Sequence, residues 1–93
     1  MQKVGSRVGA ILSAKEGVVR FFGYGEYVGD EIPPEDTSYI TWPNPKIVLD
    51  NGEVVWGFQC WWGSEERIKE IIAKNDKVIM VDCKGNEVSH VSS

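Results

Sequence analysis

The chain has 93 residues, 42% of them hydrophobic and 26% charged, with a formal net charge of -4. That length supports one small domain around one core, and no apolar run approaches the roughly 20 residues that a membrane-spanning helix requires. The negative balance and the scatter of the 10 basic residues argue against nucleic-acid binding, which draws its affinity from lysine and arginine contacts to phosphates.

Residues 7–12 (RVGAIL) and 17–22 (GVVRFF) are rich in β-branched and aromatic side chains. Gly17, at the end of the segment between them, supplies the positive φ of a hairpin return. Residues 23–29 then space Gly23, Gly25 and Gly29 among aromatics, and residues 30–36 (DEIPPED) hold Pro33-Pro34, which lacks ladder donors, so the sheet is expected to pause. A short strand is expected over residues 38–41, before Trp42-Pro43-Asn44-Pro45 stops the chain again.

The sharpest local signal is Asn51-Gly52 between two apolar runs, which predicts a hairpin with those two residues as its loop. Leu49 then faces Val54, Val48 faces Val55 and Ile47 faces Trp56. On that register one face carries Ile47, Leu49, Val54, Trp56, Phe58 and Cys60, and the other Lys46, Val48, Asp50, Glu53, Val55 and Gln59. Ser64 reads as a helix N-cap with Glu65 and Glu66 in the first turn, and the helix is expected over residues 64–74. Ile68, Ile71 and Ile72 form its apolar stripe, and Asn75 ends it. Residues 77–82 (KVIMVD) and 87–91 (EVSHV) read as a final hairpin.

This order predicts an α+β fold, a small curled antiparallel sheet of five or six strands with one helix. Gly9, Gly23, Gly25, Gly29 and Gly57, in or beside strands, favour strong curvature and an SH3-like barrel. The stretch Gly17-Val18-Val19-Arg20-Phe21-Phe22-Gly23 resembles the GxVRFxG segment of CAP-Gly domains, SH3-like folds that bind acidic peptide tails. That family's ligand-gripping GKNDG segment has no counterpart here, so the resemblance implies a curled barrel and not that activity.

Reactive chemistry finds little support. Cys60 and Cys83 lack CxxC spacing and read as two buried thiols. Gly23, Gly25 and Gly29 form GxGxxxG, one residue off the dinucleotide fingerprint and followed by prolines, and Glu65 and Glu66 would repel an anion at the helix start. The single histidine, His90, lies in a predicted edge strand without a partner constellation. Asp30, Glu31, Glu35 and Asp36 lack the spacing of a calcium loop and read as a solvated loop. No catalytic residue, cofactor or metal is expected.

The aromatic residues carry the functional expectation. Trp56 and Phe58 share the predicted inner face, whereas adjacent Trp61 and Trp62 cannot both enter one small core. One of them is expected on a contact surface with Tyr24, Tyr27 and Trp42, joined by Tyr39 from the proline-flanked loop. The sequence thus points to a non-catalytic binding module for a protein or peptide, or for a homodimer of its own. The alternative is a small planar ligand such as a nucleotide, stacked on the exposed tryptophan with Arg20 or Arg7 facing its phosphate. Short chains of this kind resemble accessory proteins of phages and mobile elements. Without a charged-then-apolar leader, a cytoplasmic protein with neither membrane nor nucleic-acid partner is expected.

Overall fold

The computed structural model describes residues 2–34 and 40–88. The chain enters a hairpin in which β1 (Arg7–Lys15) returns as β2 (Val18–Glu31), with Lys15 opposite Val18. The two turn residues, Glu16 and Gly17, both have positive φ, 54° and 78°. That is the backbone of a type I′ turn, whose twist matches the strands it joins, so the loop is tighter than the sequence predicts and Ser13 to Lys15 belong to β1.

The expected pause falls where the prolines are: residues 32–34 carry no regular structure, while the strand runs unbroken through the glycines before them. β2 runs on to Glu31 and uses one edge for two different partners: β3 (Asn44–Leu49) pairs antiparallel with residues 25–31, and β6 (Lys77–Met80) pairs parallel with residues 18–21. Register shifts beside Gly23 and Gly29, whose φ values are 135° and 111°, bend the strand between those partners. Phe22 is the extra residue of the first shift, which lets Phe21 and Phe22 both be buried, each in a different apolar cluster. Gly25 answers a different need. A Cβ there would stand 2.3 Å from the Val48 carbonyl oxygen and 2.7 Å from the Leu49 Cα, so β2 and β3 approach closer than any side chain allows.

The Asn51-Gly52 hairpin forms, but one residue out of the expected register. Val48 faces Val54, Ile47 faces Val55 and Lys46 faces Trp56 across β3 and β4 (Val54–Trp56). A favoured two-residue loop needs positive φ at its first central residue, here Asn51, and of the pair only Gly52, at 91°, has it. The Gly52 amide donates to the Leu49 carbonyl at 2.9 Å and the Leu49 amide to the Glu53 carbonyl at 2.8 Å, which makes a three-residue loop ending in a glycine bulge. The Asn51 side-chain oxygen accepts the Glu53 amide at 2.8 Å and holds this form. The shift turns Val55 inward beside Ile47, in place of Val54. Trp56 is buried as expected, but Phe58 is 40% exposed because β4 ends before it. Pro45, expected to stop the chain, lies inside β3, where its carbonyl accepts the Gly57 amide at 2.8 Å.

β5 (Trp61–Ser64) pairs antiparallel with residues 8–11 of β1 and runs straight into α1 (Glu65–Ala73). The Ser64 side chain accepts the Arg67 amide at 3.2 Å and caps the helix. At the other end the Asn75 side chain donates to the Ile71 carbonyl at 2.7 Å. The helix leads to β6 on the far side of the β1–β2 pair. Since β5 is antiparallel to β1 and β1 to β2, β5 and β6 run the same way, and β5–α1–β6 is a parallel crossover. The first residues of the expected closing hairpin form beside that crossover, with the Asp82 amide bonded to the Asn86 carbonyl at 2.8 Å. Beyond β6 it contributes one bridge, Val81 to Glu87, with the Val88 amide bonded to the Met80 carbonyl.

The result is α+β, a six-stranded sheet in the order β4-β3-β2-β1-β5 with β6 on β2. It is antiparallel except at β6. No ladder joins β4 to β5 among the described residues, so the sheet curls without closing into a barrel. Val8, Ala10, Phe22, Ile47, Leu49 and Val55 fill its curled side, and Ile11, Val19, Phe21 and Ile68 fill the side under the helix. Among the described residues no helix is long and apolar enough to cross a membrane. Tyr39, Glu35, Asp36 and His90 lie outside the described residues, as do half of the expected 38–41 strand and the end of the last hairpin. Ile40 and Thr41 carry no regular structure.

One polar cluster ties three elements together. Arg7 of β1 grips Asp50 of the β3–β4 loop with two bonds of 2.7 Å and reaches Glu65 of α1 at 3.3 Å. Bonding to the guanidinium holds the Asp50 carboxyl below its ordinary value. Its stabilisation is full above the unfolded carboxyl's pKa of about 3.9 and drains as pH falls through the lower folded value. Asp50→Asn therefore weakens the fold near neutral pH and not in acid, so urea-unfolding curves of variant and parent converge as pH falls. For the glycines, Gly25→Ala forces two backbones apart and should cost about 3 kcal/mol, while Gly63→Ala, with its nearest obstacle at 3.9 Å, should stay within about 0.5 kcal/mol in the same assay.

Candidate functional site

The adjacent tryptophans are separated by the pleat of β5. Trp61 is registered with Ile11 and Trp62 with Ala10, and since successive strand residues point to opposite faces, they part to the two sides of the sheet. Trp62 is half-buried against the curled core and packs on Tyr27, ring centroids 5.1 Å apart and planes tilted by 32°. Trp61 is 79% exposed. An exposed indole from this pair is what the sequence predicts, and the alternation of β5 selects which one.

Trp61 overhangs a groove of about 280 Å³ lined by Ile11, Leu12, Ser13, Ala14, Lys15 and Ile71. This groove exists because β5 covers only residues 8–11 of β1, whereas β1 continues to Lys15. On that side residues 12–15 have no strand beside them among the described residues. Among the described residues no ladder takes their outward backbone donors and acceptors. Sequence reasoning missed these residues by reading Ser13 to Lys15 as loop; the I′-type Glu16-Gly17 pair was the signal available.

The remaining predicted residues do not form one surface. Tyr24 and Tyr27, an odd number apart on β2, face different sides. Tyr24 lies on the helix side, edge-on to Phe21 at 4.9 Å and beneath the Lys69 ammonium at 5.9 Å. Tyr27 belongs with Trp62 on the other. Trp42 is 60% exposed before β3, and no ring contact joins it to Trp61 or Trp62 among the described residues. Arg20 is exposed on β2 opposite Ser13, a residue of the groove. Arg7 is engaged by Asp50 and Glu65 and is poorly placed to serve a phosphate.

A second recess, of about 440 Å³, opens beside the Tyr27–Trp62 pair and is bounded by Gln2, Asp30, Pro45 and Gly63. The Tyr27 hydroxyl donates to Asp30 Oδ1 at 2.5 Å, and this bond to a carboxylate raises the phenol above its ordinary pKa. Asp30 lies opposite Pro45 in the β2–β3 ladder, which sets its carboxylate at the rim.

Neither cysteine is an activated nucleophile. Burial pushes the Cys60 thiol up to about 12, and it donates to the Trp56 carbonyl at 3.3 Å. Cys83 is also raised, chiefly by desolvation and then by Glu53. Both are thiols at neutral pH, and attack requires the thiolate. Iodoacetamide at pH 8 should therefore label Cys83 ahead of Cys60, with both slower than a free thiol; fast labelling of Cys60 in the native protein, read by mass spectrometry, contradicts this placement.

No family profile matches the chain, and neither the curated proteins nor the solved structures contain a significant match to it.

Proposed function

We propose that the protein is a non-catalytic binding module that takes an extended segment of a protein partner along the open edge of β1, anchored by Trp61. The carrying observation is the coincidence of a 79% exposed indole with an apolar groove and an unpaired stretch of strand. Backbone groups of residues 12–15 supply ladder bonds to an added strand, and the groove between Trp61 and Ile71 takes one of its apolar side chains. Lys15, at the end of the groove and without an ion pair among the described residues, favours a carboxylate on the segment. In this reading the curled sheet serves as an SH3-like scaffold, a description supported by its glycine-bent β2 and its single helix. A second copy of the chain offering its own β1 edge is the self-associating form of the same mode.

Selection from a random-peptide display library tests the reading. Enriched sequences should alternate apolar residues and carry an acidic one. Trp61→Ala should cost about 2 kcal/mol, roughly thirtyfold in Kd, with an unchanged urea midpoint. Light scattering at micromolar concentration separates the two forms, since a Trp61-dependent dimer marks self-association. A monomer that enriches no peptide sinks both. If nucleotides then quench Trp61, the planar-ligand reading takes their place.

A further inference from the structure

We infer that the recess beside Tyr27 and Trp62 is a second binding site, for a quaternary ammonium group. It does not rest on the β1-edge reading, because Trp61 and Trp62 point to opposite sides of β5. The two rings, tilted by 32° at 5.1 Å, form one wall. The negative faces of such rings attract a cation, and more strongly where water is partly excluded. Both rings are half-buried, so one side of each is backed by the core while the recess keeps its opening.

The polar lining decides the sign of the ligand. Among the described residues Asp30 is the one charged group lining the recess, and the Tyr27 hydroxyl bonds to its Oδ1, so the carboxylate is oriented without being neutralised. Two cations of the adjoining strands are committed elsewhere. Lys46 pairs with Glu31 at 3.3 Å and lies over Trp56, and Arg7 is held by Asp50. The Arg67 stem passes 3.9 Å from where a Cβ on Gly63 would stand, on the helix side of β5 and away from Trp62. An anion entering the recess therefore meets a carboxylate and, among the described lining residues, no counter-charge.

The degree of substitution follows from the apolar part of the lining. A primary ammonium brings three N–H donors, and any of them turned to the ring faces or the Pro45 wall finds no acceptor. A quaternary ammonium has no N–H to satisfy. Its charge is spread over methyl groups that suit ring faces and the Pro45 wall, so it loses least on leaving water.

Choline is the probe, with 3,3-dimethylbutan-1-ol as its neutral counterpart of the same shape and a trimethyllysine peptide to separate a free head-group from a side chain. The readout is the indole N–H resonance of Trp62 in the intact protein. Choline or the peptide should shift Trp62 and leave Trp61 unmoved, and the neutral alcohol should bind about tenfold more weakly. Asp30→Asn should also weaken binding about tenfold, because it keeps the shape and removes the charge. Tyr27→Phe keeps the ring and releases the carboxylate; it should weaken binding less than Asp30→Asn does. Equal shifts with alcohol and choline, a response centred on Trp61, or none at Trp62 overturns the assignment. None of these outcomes touches the groove under Trp61, which peptide selection reports separately.

Discussion

The architecture depends on the seat of Ile68 on Gly9. A Cβ at Gly9 would stand 2.8 Å from the Ile68 side chain, so the helix lies against bare β1 backbone, and Ile68 is left 2% exposed. A buried isoleucine contributes about 2 kcal/mol by removal from water, and dense packing makes its position hard to shift. With α1 fixed over β1, β5 must end beside residue 8 and β6 must emerge beyond β2. Gly17 receives the far end of the crossover: its carbonyl accepts the amides of Asp76 at 2.8 Å and Lys77 at 3.0 Å.

The candidate binding edge is a consequence of that crossover. A simple meander would have returned the chain beside β1 and covered all of it. Here the helix carries the chain over β1 and β2, so among the described residues the lower part of β1 keeps one strand neighbour. Proteins generally blunt such an edge with charge, a bulge or a cover. This one has Lys15 at the end of the stretch and Trp61 leaning over it. The proposed docking rests on that exposed ring standing beside strand residues with no second neighbour among the described residues.

The curled side of the sheet follows a different logic. Bends beside Gly23 and Gly29, with the Gly25 contact, fold β3 and β4 back over Val8, Ala10 and Phe22. The same curl brings Tyr27 of β2 against Trp62 of β5, elements separated in the sheet by β1. Tyr27 and Trp62 are therefore neighbours across a concave surface, and the Asp30 carboxylate reaches the rim because β2 runs past its glycines. The two candidate sites share no ring. They are products of one helix seat and one bent strand, respectively.

Local chemistry legible in the sequence determined the β1–β2 hairpin, the Ser64 cap, the Ile68 stripe, the burial of Trp56 and the exposure of one indole from the Trp61-Trp62 pair. Each rests on forces acting within a few residues: turn dihedrals, capping bonds and side-chain periodicity. Tertiary structure alone decided the register of the Asn51 hairpin, the partner of β6, the division of Tyr24 from Tyr27 and the open length of β1. In the register that forms, Val55 packs inward beside Ile47, a contact to which the local Asn51-Gly52 signal is blind. The direction of β6 depends on a helix crossing two strands, and the partners of a strand edge on segments some 50 residues apart in sequence, beyond the reach of any local pattern.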